Sequence, residues 1–533
     1  RQQRKSLKAL FERYEQTRLW QSKDLDEEAR QSANLLRYEM LRRLNLMQFP
    51  EQWLPMNQMS GPQREMPAIL RDMPRTDRSA YEHILARLSA MPAALDAYQK
   101  QMESGMKHGV QPPKPALIDL PRQIRALIPD DPWQSPLLEP FRSFPASIPP
   151  AEADKLRTRA LRIFVTQVRP AWQRMFDFVQ KEYLPKAPID IAFSHLPNGK
   201  AWYQARVRWH TTLDLSPEAI HQIGLDEVAR IRAEMEKIKT QVGFDGPLEA
   251  FFDFLRTNPK FFYKKEADLV AGYRAICQKI DRQLPRLFGR LPKLPYEIKV
   301  IPANEAKAQT TAYYSPGSIK LNRPGVYFVN TYALNTRPKW EMTALSLHEA
   351  VPGHHFQIAL AEELENLPKF RRYAGYTAFV EGWALYAEQL GYDMGLYQDP
   401  YDQFGQLAYD MWRAIRLVVD TGMHSMGWSR QKAIDYFLAN APKTVHDVTV
   451  EVDRYLAWPG QALAYKIGQL KILELRQKAR AQLGERFDIR AFHDEVLKHG
   501  AVPLAVLEAN VMRWIADMKS DPNQVKANQA NLQ

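Results

Sequence analysis

The chain reads as a mainly α-helical protein with one small β-sheet placed beside a helix that carries histidines. Three observations predict this. Apolar residues recur at three- and four-residue spacing over most of the length. Strand-like runs are confined to about residues 295–331. No fixed-period repeat is present. At 533 residues the chain exceeds what one hydrophobic core usually covers, so more than one packed unit is expected. The expected division is an N-terminal helical region, 1–150, that closes in a proline-rich connector, and a larger region, 151–533. The larger region is expected to hold the sheet at about 295–331, the helices that carry the chemistry at about 338–392, and a C-terminal helical block at 400–520.

The elements justify this in order. Residues 1 to about 110 carry helical periodicity in Leu36, Met40, Leu44 and Met47, then in Tyr81, Ile84, Leu85 and Leu88. From Pro112 to Pro150 prolines break any long element, which predicts a connector wrapped between helical blocks. At Ser216-Pro217-Glu218 a helix start is well marked: Ser caps, Pro suits the first helical position, and Glu complements the helix dipole. Its apolar stripe runs through Ile220, Ile223, Val228, Ile231 and Met235 towards a stop at Gly243. The strand candidates are Ile298-Lys299-Val300-Ile301 and Val326-Tyr327-Phe328-Val329. Beyond Pro338 the pattern is again helical, with breaks at Pro352, Pro442 and Pro459.

Composition narrows the function classes. Lys and Arg total 73 against 61 Asp and Glu, a net charge of +12, but the basic residues are spread along the chain and no nucleic-acid motif accompanies them. No nucleic-acid partner is expected; a positive pocket for a peptide carboxylate fits better. A single cysteine, Cys277, excludes an internal disulfide and removes thiolates as a metal-ligand set, so any metal must use histidines and carboxylates. No apolar run reaches transmembrane length. The first residue is Arg1 rather than Met, as expected if a leader has been processed away or omitted.

The chemistry concentrates in His348-Glu349-Ala350-Val351-Pro352-Gly353-His354-His355. It begins like a His-Glu-x-x-His helix, where histidines four apart share one face, both reach one zinc, and the glutamate between them activates water. Here Pro352 stands at the fourth position. On a regular helix His354 would lie about 9 Å above His348 and about 120° around the axis. His355 would return to nearly the same face but about 10.5 Å up, also too far to share a metal. A straight helix therefore forbids the site. Pro352 cannot donate to the carbonyl of His348 and its ring clashes there, so the helix must bend, and Gly353 permits a bulge that returns one later histidine towards His348. The competing view is an ordinary kinked helix whose histidines fill the core. A third ligand weakens that view: Glu381 and Glu388 lie seven apart on an apolar helical stretch, hence on one face, and acids among buried-type neighbours are usually paired or metal-bound. Glu381 is the expected ligand and Glu388 the expected partner that orients a ligand histidine.

These residues resemble a bacterial family known mainly as a domain of unknown function, whose members carry HExxPGHH followed by EGWALYxE. The likeness extends over much of residues 200–515, through Thr211-Thr212 to Gly224, Arg323-Pro324-Gly325-Val326 to Asn330, and Tyr455 to Tyr465. The resemblance implies a zincin-like, largely helical fold akin to oligopeptidases and dipeptidyl carboxypeptidases, in a protein often secreted or lipid-anchored, and therefore a periplasmic or extracellular location. Members can show tyrosine where this chain has His355, which favours His354 as the ligand.

The expected metal set is thus His348, His354 and Glu381 around Zn²⁺, with Glu349 as general base passing a water proton to the leaving amine. Tyr465, Tyr455 and His424 are candidates to stabilise an oxyanion, Tyr465 first. Arg413 and Arg416 are candidates to capture a substrate carboxylate. Asn330, at the end of a strand taken to be an edge, is a candidate to contact a peptide carbonyl, and Tyr455 another substrate contact. The expected activity is a zinc peptidase on short peptides. A zinc amidase or deacylase of N-acyl compounds, and a non-catalytic binding protein of the same fold, are the alternatives.

Overall fold

The computed structural model describes residues 2–306 and 310–520. Helix starts follow local capping. Asp26 accepts from the N–H of Ala29 at 2.7 Å and opens α1, Glu27–Leu46. Asp77 accepts from Ala80 at 3.0 Å and opens α2, Arg78–Lys107. Ser216 accepts from Ala219 at 3.1 Å and opens α3, Pro217–Gln241, the helix legible in the sequence, and Gly243 beyond it takes φ +69°. Next come α4, Glu266–Leu287, and the strands β1, Tyr296–Val300, β2, Ala312–Ser315, and β3, Gly325–Val329. They are followed by α5, Met342–Glu349, α6, His354–Glu362, α7, Thr377–Asp393, α8, Pro400–Ser425, α9, Val445–Ala457, α10, Ala464–Leu483, and α11, Leu504–Ser520. The fold is mainly helical with one three-stranded sheet among the described residues, as the sequence predicts.

The sheet order is β1-β3-β2, with β1 parallel and β2 antiparallel to β3. Tyr327 and Val329 project from one face of β3 into a core with Tyr273 of α4 and Met342, Ala344 and Leu345 of α5. That alternation in the central strand fixes the register, because a one-residue slip would turn these side chains to the other face. The sheet is thereby held against α5. The strand expected at an edge is instead central, and the edges belong to β1 and β2.

Hydrophobic packing crosses the boundary expected at residue 150. One core gathers α2, the proline-rich stretch and the helices up to Ala187, burying Leu117, Ile124, Leu138 and Phe141 completely. The prolines thus shape a packed segment of short helices rather than a loose connector. α1 belongs elsewhere: its Leu35 joins a core built largely from residues after 190. Its buried stripe is Ala33, Leu35 and Met40, so the expected face is partly misplaced, with Leu36 and Met47 turned outward. No helix among the described residues is long and apolar enough to cross a membrane.

Candidate metal centre

α5 is buried along nearly its whole length because Met342 to Leu347 includes no charged side chain. It ends at Glu349, residues 350–353 form a turn, and α6 begins at His354. The helix is interrupted where the sequence places its breakers. Gly353 is required by proximity: a β-carbon there would overlap the carbonyl oxygen of His348. The indole N–H of Trp383 in α7 donates to the carbonyl of Pro352 at 2.7 Å and ties the turn to the helix bearing both glutamates.

The turn brings the imidazoles of His348 and His354 together, ring centres 4.8 Å apart and planes at 88°. Glu381 Oε2 lies 3.4 Å from His354 Nε2 and 3.8 Å from His348 Nε2. Two bonds of about 2.0–2.1 Å at a tetrahedral angle place donor atoms about 3.4 Å apart. These three side chains therefore form a group that could hold a metal ion, with one donor atom from each within 4.8 Å of the others. The donor types, two imidazole nitrogens and a carboxylate oxygen, suit zinc.

Surrounding groups prepare the donors. Burial pushes His348 well below the usual imidazole range, which keeps it neutral. Its Nδ1 faces Glu388 Oε1 at 2.8 Å, and a carboxylate there fixes the proton on Nδ1 and leaves the Nε2 lone pair aimed at the site. Burial pushes the Glu388 carboxyl up to about 8, while Arg413, 3.5 Å from the same oxygen, works to keep it charged. Burial works against charge on both His354 and Glu381, but each favours the charged form of the other: His354 ends raised and Glu381 lowered. The side chains of His354 and Glu381 retain 13% and 19% exposure, against 4% for His348, so the group opens to solvent on their side.

Glu349 stands beside this group. Burial pushes its carboxyl up to about 7, with His354 and Arg413 pulling down and Glu381 pushing up. Its Oε2 accepts from the backbone N–H of Tyr314 at 2.9 Å, so edge strand β2 orients it. Nothing in the sequence periodicity distinguishes Tyr314, because the contact is made by its backbone. His355 is excluded as a ligand: Tyr314 Oη lies 3.0 Å from its Nδ1 and the carbonyl of Leu294 3.1 Å from its Nε2.

The other expected residues fall differently. Asn330 is buried at the end of central β3, donating to the carbonyls of Ala306 at 2.7 Å and Thr310 at 3.0 Å, and accepting from the N–H of Tyr332. It braces Ala306 and Thr310, which lie between β1 and β2, and so occupies a structural position in place of the expected peptide contact. His424 sits among Phe193 and Tyr203 with Nε2 on the carbonyl of Tyr455 at 3.0 Å. Eleven residues along α8 from Arg413, it lies about 16 Å away by helical rise, so the oxyanion role is corrected to a core position. Burial pushes it down to about 4. Tyr455 donates to Glu451 at 2.9 Å and accepts from Arg416 Nε at 3.1 Å, a bracing position rather than a substrate contact. Arg413 serves Glu388 and the carbonyl of Tyr409. Arg416 pairs with Glu451 at 2.9 Å and lies over the ring of Tyr465. The Tyr465 hydroxyl accepts from Arg454 at 3.2 Å. Arg454 is not among the residues that the sequence singles out, although Glu451, Arg454 and Tyr455 at i, i+3 and i+4 on an apolar helix are a signal for it.

Helical packing and this His-His-Glu group define a mainly α protein with a candidate metal centre. The chain belongs to the family described as "Bacterial protein of unknown function (DUF885)", whose model matches residues 1–511. A crystal structure described as a "putative lipoprotein" from Colwellia psychrerythraea is 30% identical, covers 97% of this chain and 91% of its own, and superposes with a TM-score of 0.90. A second solved structure, described as a "putative lipoprotein of unknown function" from Shewanella oneidensis, shares the fold at 19% identity and a TM-score of 0.74, covering 96% of this chain and 92% of its own. No curated protein matches the chain.

Proposed function

We propose that the chain is a zinc-dependent hydrolase of zincin-like design that cleaves short peptides. The observation that carries the reading is the convergence of His348, His354 and Glu381 with Glu349 held alongside by the Tyr314 N–H. Zinc held by the three ligands would supply Lewis acidity, polarising a substrate carbonyl and acidifying a water. Glu349, whose carboxyl burial pushes up to about 7, would act as general base, taking a proton from the attacking water and returning it to the leaving amine. Glu388 and Arg413 hold His348 in its ligand tautomer. The lipoprotein descriptions of the two structural relatives support a secreted or lipid-anchored location.

Elemental analysis of the purified protein, followed by incubation with a peptide mixture and a panel of N-acyl amino acids, tests this. The expected result is one zinc per chain and peptide products. His348→Ala is expected to lose both metal and activity. Absence of stoichiometric zinc after loading overturns the metal assignment, and cleavage of the acyl compounds alone overturns the peptidase reading.

A further inference from the structure

Beside Glu381 lies an arrangement that the chemistry above leaves unused. Glu451 is shared by two arginines: Arg416 Nη2 approaches its Oε2 at 2.9 Å and Arg454 Nη1 its Oε1 at 3.4 Å. Tyr455 also donates to Oε2. The second nitrogen of Arg454 reaches the amide oxygen of Gln461 at 3.0 Å and the Tyr465 hydroxyl at 3.2 Å. The Arg416 guanidinium stacks 4.4 Å from the centre of the Tyr465 ring. The nest therefore holds two fixed positive charges against one carboxylate, and its side chains are only 5%, 9% and 17% exposed for Arg416, Glu451 and Arg454.

A surplus buried cation calls for an anion. Arg416 Nη1 is buried without an acceptor among the described residues, so the nest has an unused donor as well as an unused charge. Glu381 does not supply the missing anion by an ion pair, since its oxygen lies against His354 and His348. Its helix nonetheless packs against the helix that carries Tyr465. Tyr465 begins α10 three residues before Gly468, and Gly468 packs directly on Gly382, the neighbour of Glu381. The planar fork of a guanidinium, with a tyrosine hydroxyl beside it, suits a carboxylate.

We infer that Arg416 and Arg454, with Tyr465, form a binding site for a substrate carboxylate. The site confines cleavage to peptides that present a free C-terminal carboxylate or an acidic side chain placed to reach it. This deepens the peptidase reading and rests on it. Arg454 and Arg416 act as specificity-determining residues and take no part in bond breaking.

The test uses zinc-loaded full-length protein and three versions of one short peptide: the free acid with neutral side chains, its C-terminal amide, and the amide carrying one glutamate. The free acid is expected to exceed the neutral amide in kcat/KM by about 10- to 100-fold, the range of a charge-assisted pair. Preference for the glutamate-bearing amide instead assigns the site to a side-chain carboxylate. Arg454→Gln is expected to bring the acid-to-amide ratio near one, mainly through KM, with Arg454→Lys restoring part of it. Equilibrium binding of the same peptides to zinc-loaded Glu349→Gln protein reads the preference without turnover. Equal cleavage and equal binding of all three overturn the carboxylate site and leave the peptidase reading intact. Carboxylate-selective binding with no cleavage of any peptide by the unsubstituted protein supports the site and overturns the peptidase reading.

Discussion

At Gly353 the backbone passes so close to the carbonyl of His348 that any β-carbon would overlap it, and this single contact governs whether two histidines six residues apart can meet. Gly353→Ala is expected to force the turn open, at a cost of about 1–3 kcal/mol for overpacking. Zinc content by elemental analysis should fall with the melting temperature; an alanine variant that kept both would show that the turn tolerates a side chain. For Glu349→Gln the expected outcome is different: metal retained, and kcat lowered by at least about 100-fold, the usual contribution of a general base. Paired measurements of zinc and peptide hydrolysis decide it, and undiminished turnover would remove Glu349 from the chemistry. At this scale the two histidines are legible as ligand candidates because only a bent helix could unite them, and Glu381 because an acid among apolar neighbours needs a partner. His424 and Asn330 are not, since a polar side chain in an apolar segment looks the same in sequence whether it faces a substrate or a buried carbonyl.

Among elements, the approach of α7 to α10 places Glu381. Gly382 and Gly468 sit backbone to backbone at this crossing, and a β-carbon on Gly468 would collide with the carbonyl of Ala378. Close packing leaves no slack for it. Gly468→Ala is expected to push α7 outward, destabilise the protein by about 1–3 kcal/mol in denaturant unfolding, and weaken zinc retention against a chelator. Loss of stability with zinc affinity unchanged would separate the crossing from the site. A second clamp joins α10 to α3 and α8: Lys466, fully buried, bonds Asp410 at 2.7 Å and Glu227 at 2.8 Å, and Arg230 reaches Asp410 at 3.0 Å. Lys466→Met strands a buried carboxylate with less compensation, so a loss of about 3–5 kcal/mol is expected in urea unfolding, held towards the lower figure by Arg230. A change under about 1 kcal/mol would mean the clamp is dispensable. Capping made α3 readable to within its first turn, whereas the order of the strands was hidden: hydrophobic runs reveal strands, but pairing depends on partners far along the chain.

Over the whole molecule, α1 is fastened to the C-terminal part rather than to the core that follows it. Arg371, almost fully buried, pairs with Glu28, bonds Gln31 at 3.0 Å and donates to the carbonyl of His499 at 3.1 Å. Gln31 donates to Asn510 of α11 at 2.6 Å. Hydrogen bonding from His499, with Arg371 beside it, holds the Glu28 carboxyl at about 2 against burial. A carboxylate lowered in the folded state contributes stability above its ordinary pKa, near 4.5, and that contribution disappears as the pH falls towards 2. Amide exchange in α1, corrected for intrinsic rates, is therefore expected to accelerate between pH 5 and pH 2.5 more than in α2, and Glu28→Gln to abolish the difference. Equal acceleration in both helices would assign the acid response to global unfolding.

What the sequence determined by itself was everything that depends on neighbours in the chain. Capping residues and periodicity located helices, proline and glycine located the break in α5, and the residue types left only histidines and carboxylates for a metal. Tertiary structure alone decided which histidine turns towards Glu381, which strand lies at the edge beside Glu349, and which arginines surround Glu451. Those choices follow from burial and close packing between segments up to hundreds of residues apart, and such energies belong to pairs of surfaces that no local pattern records.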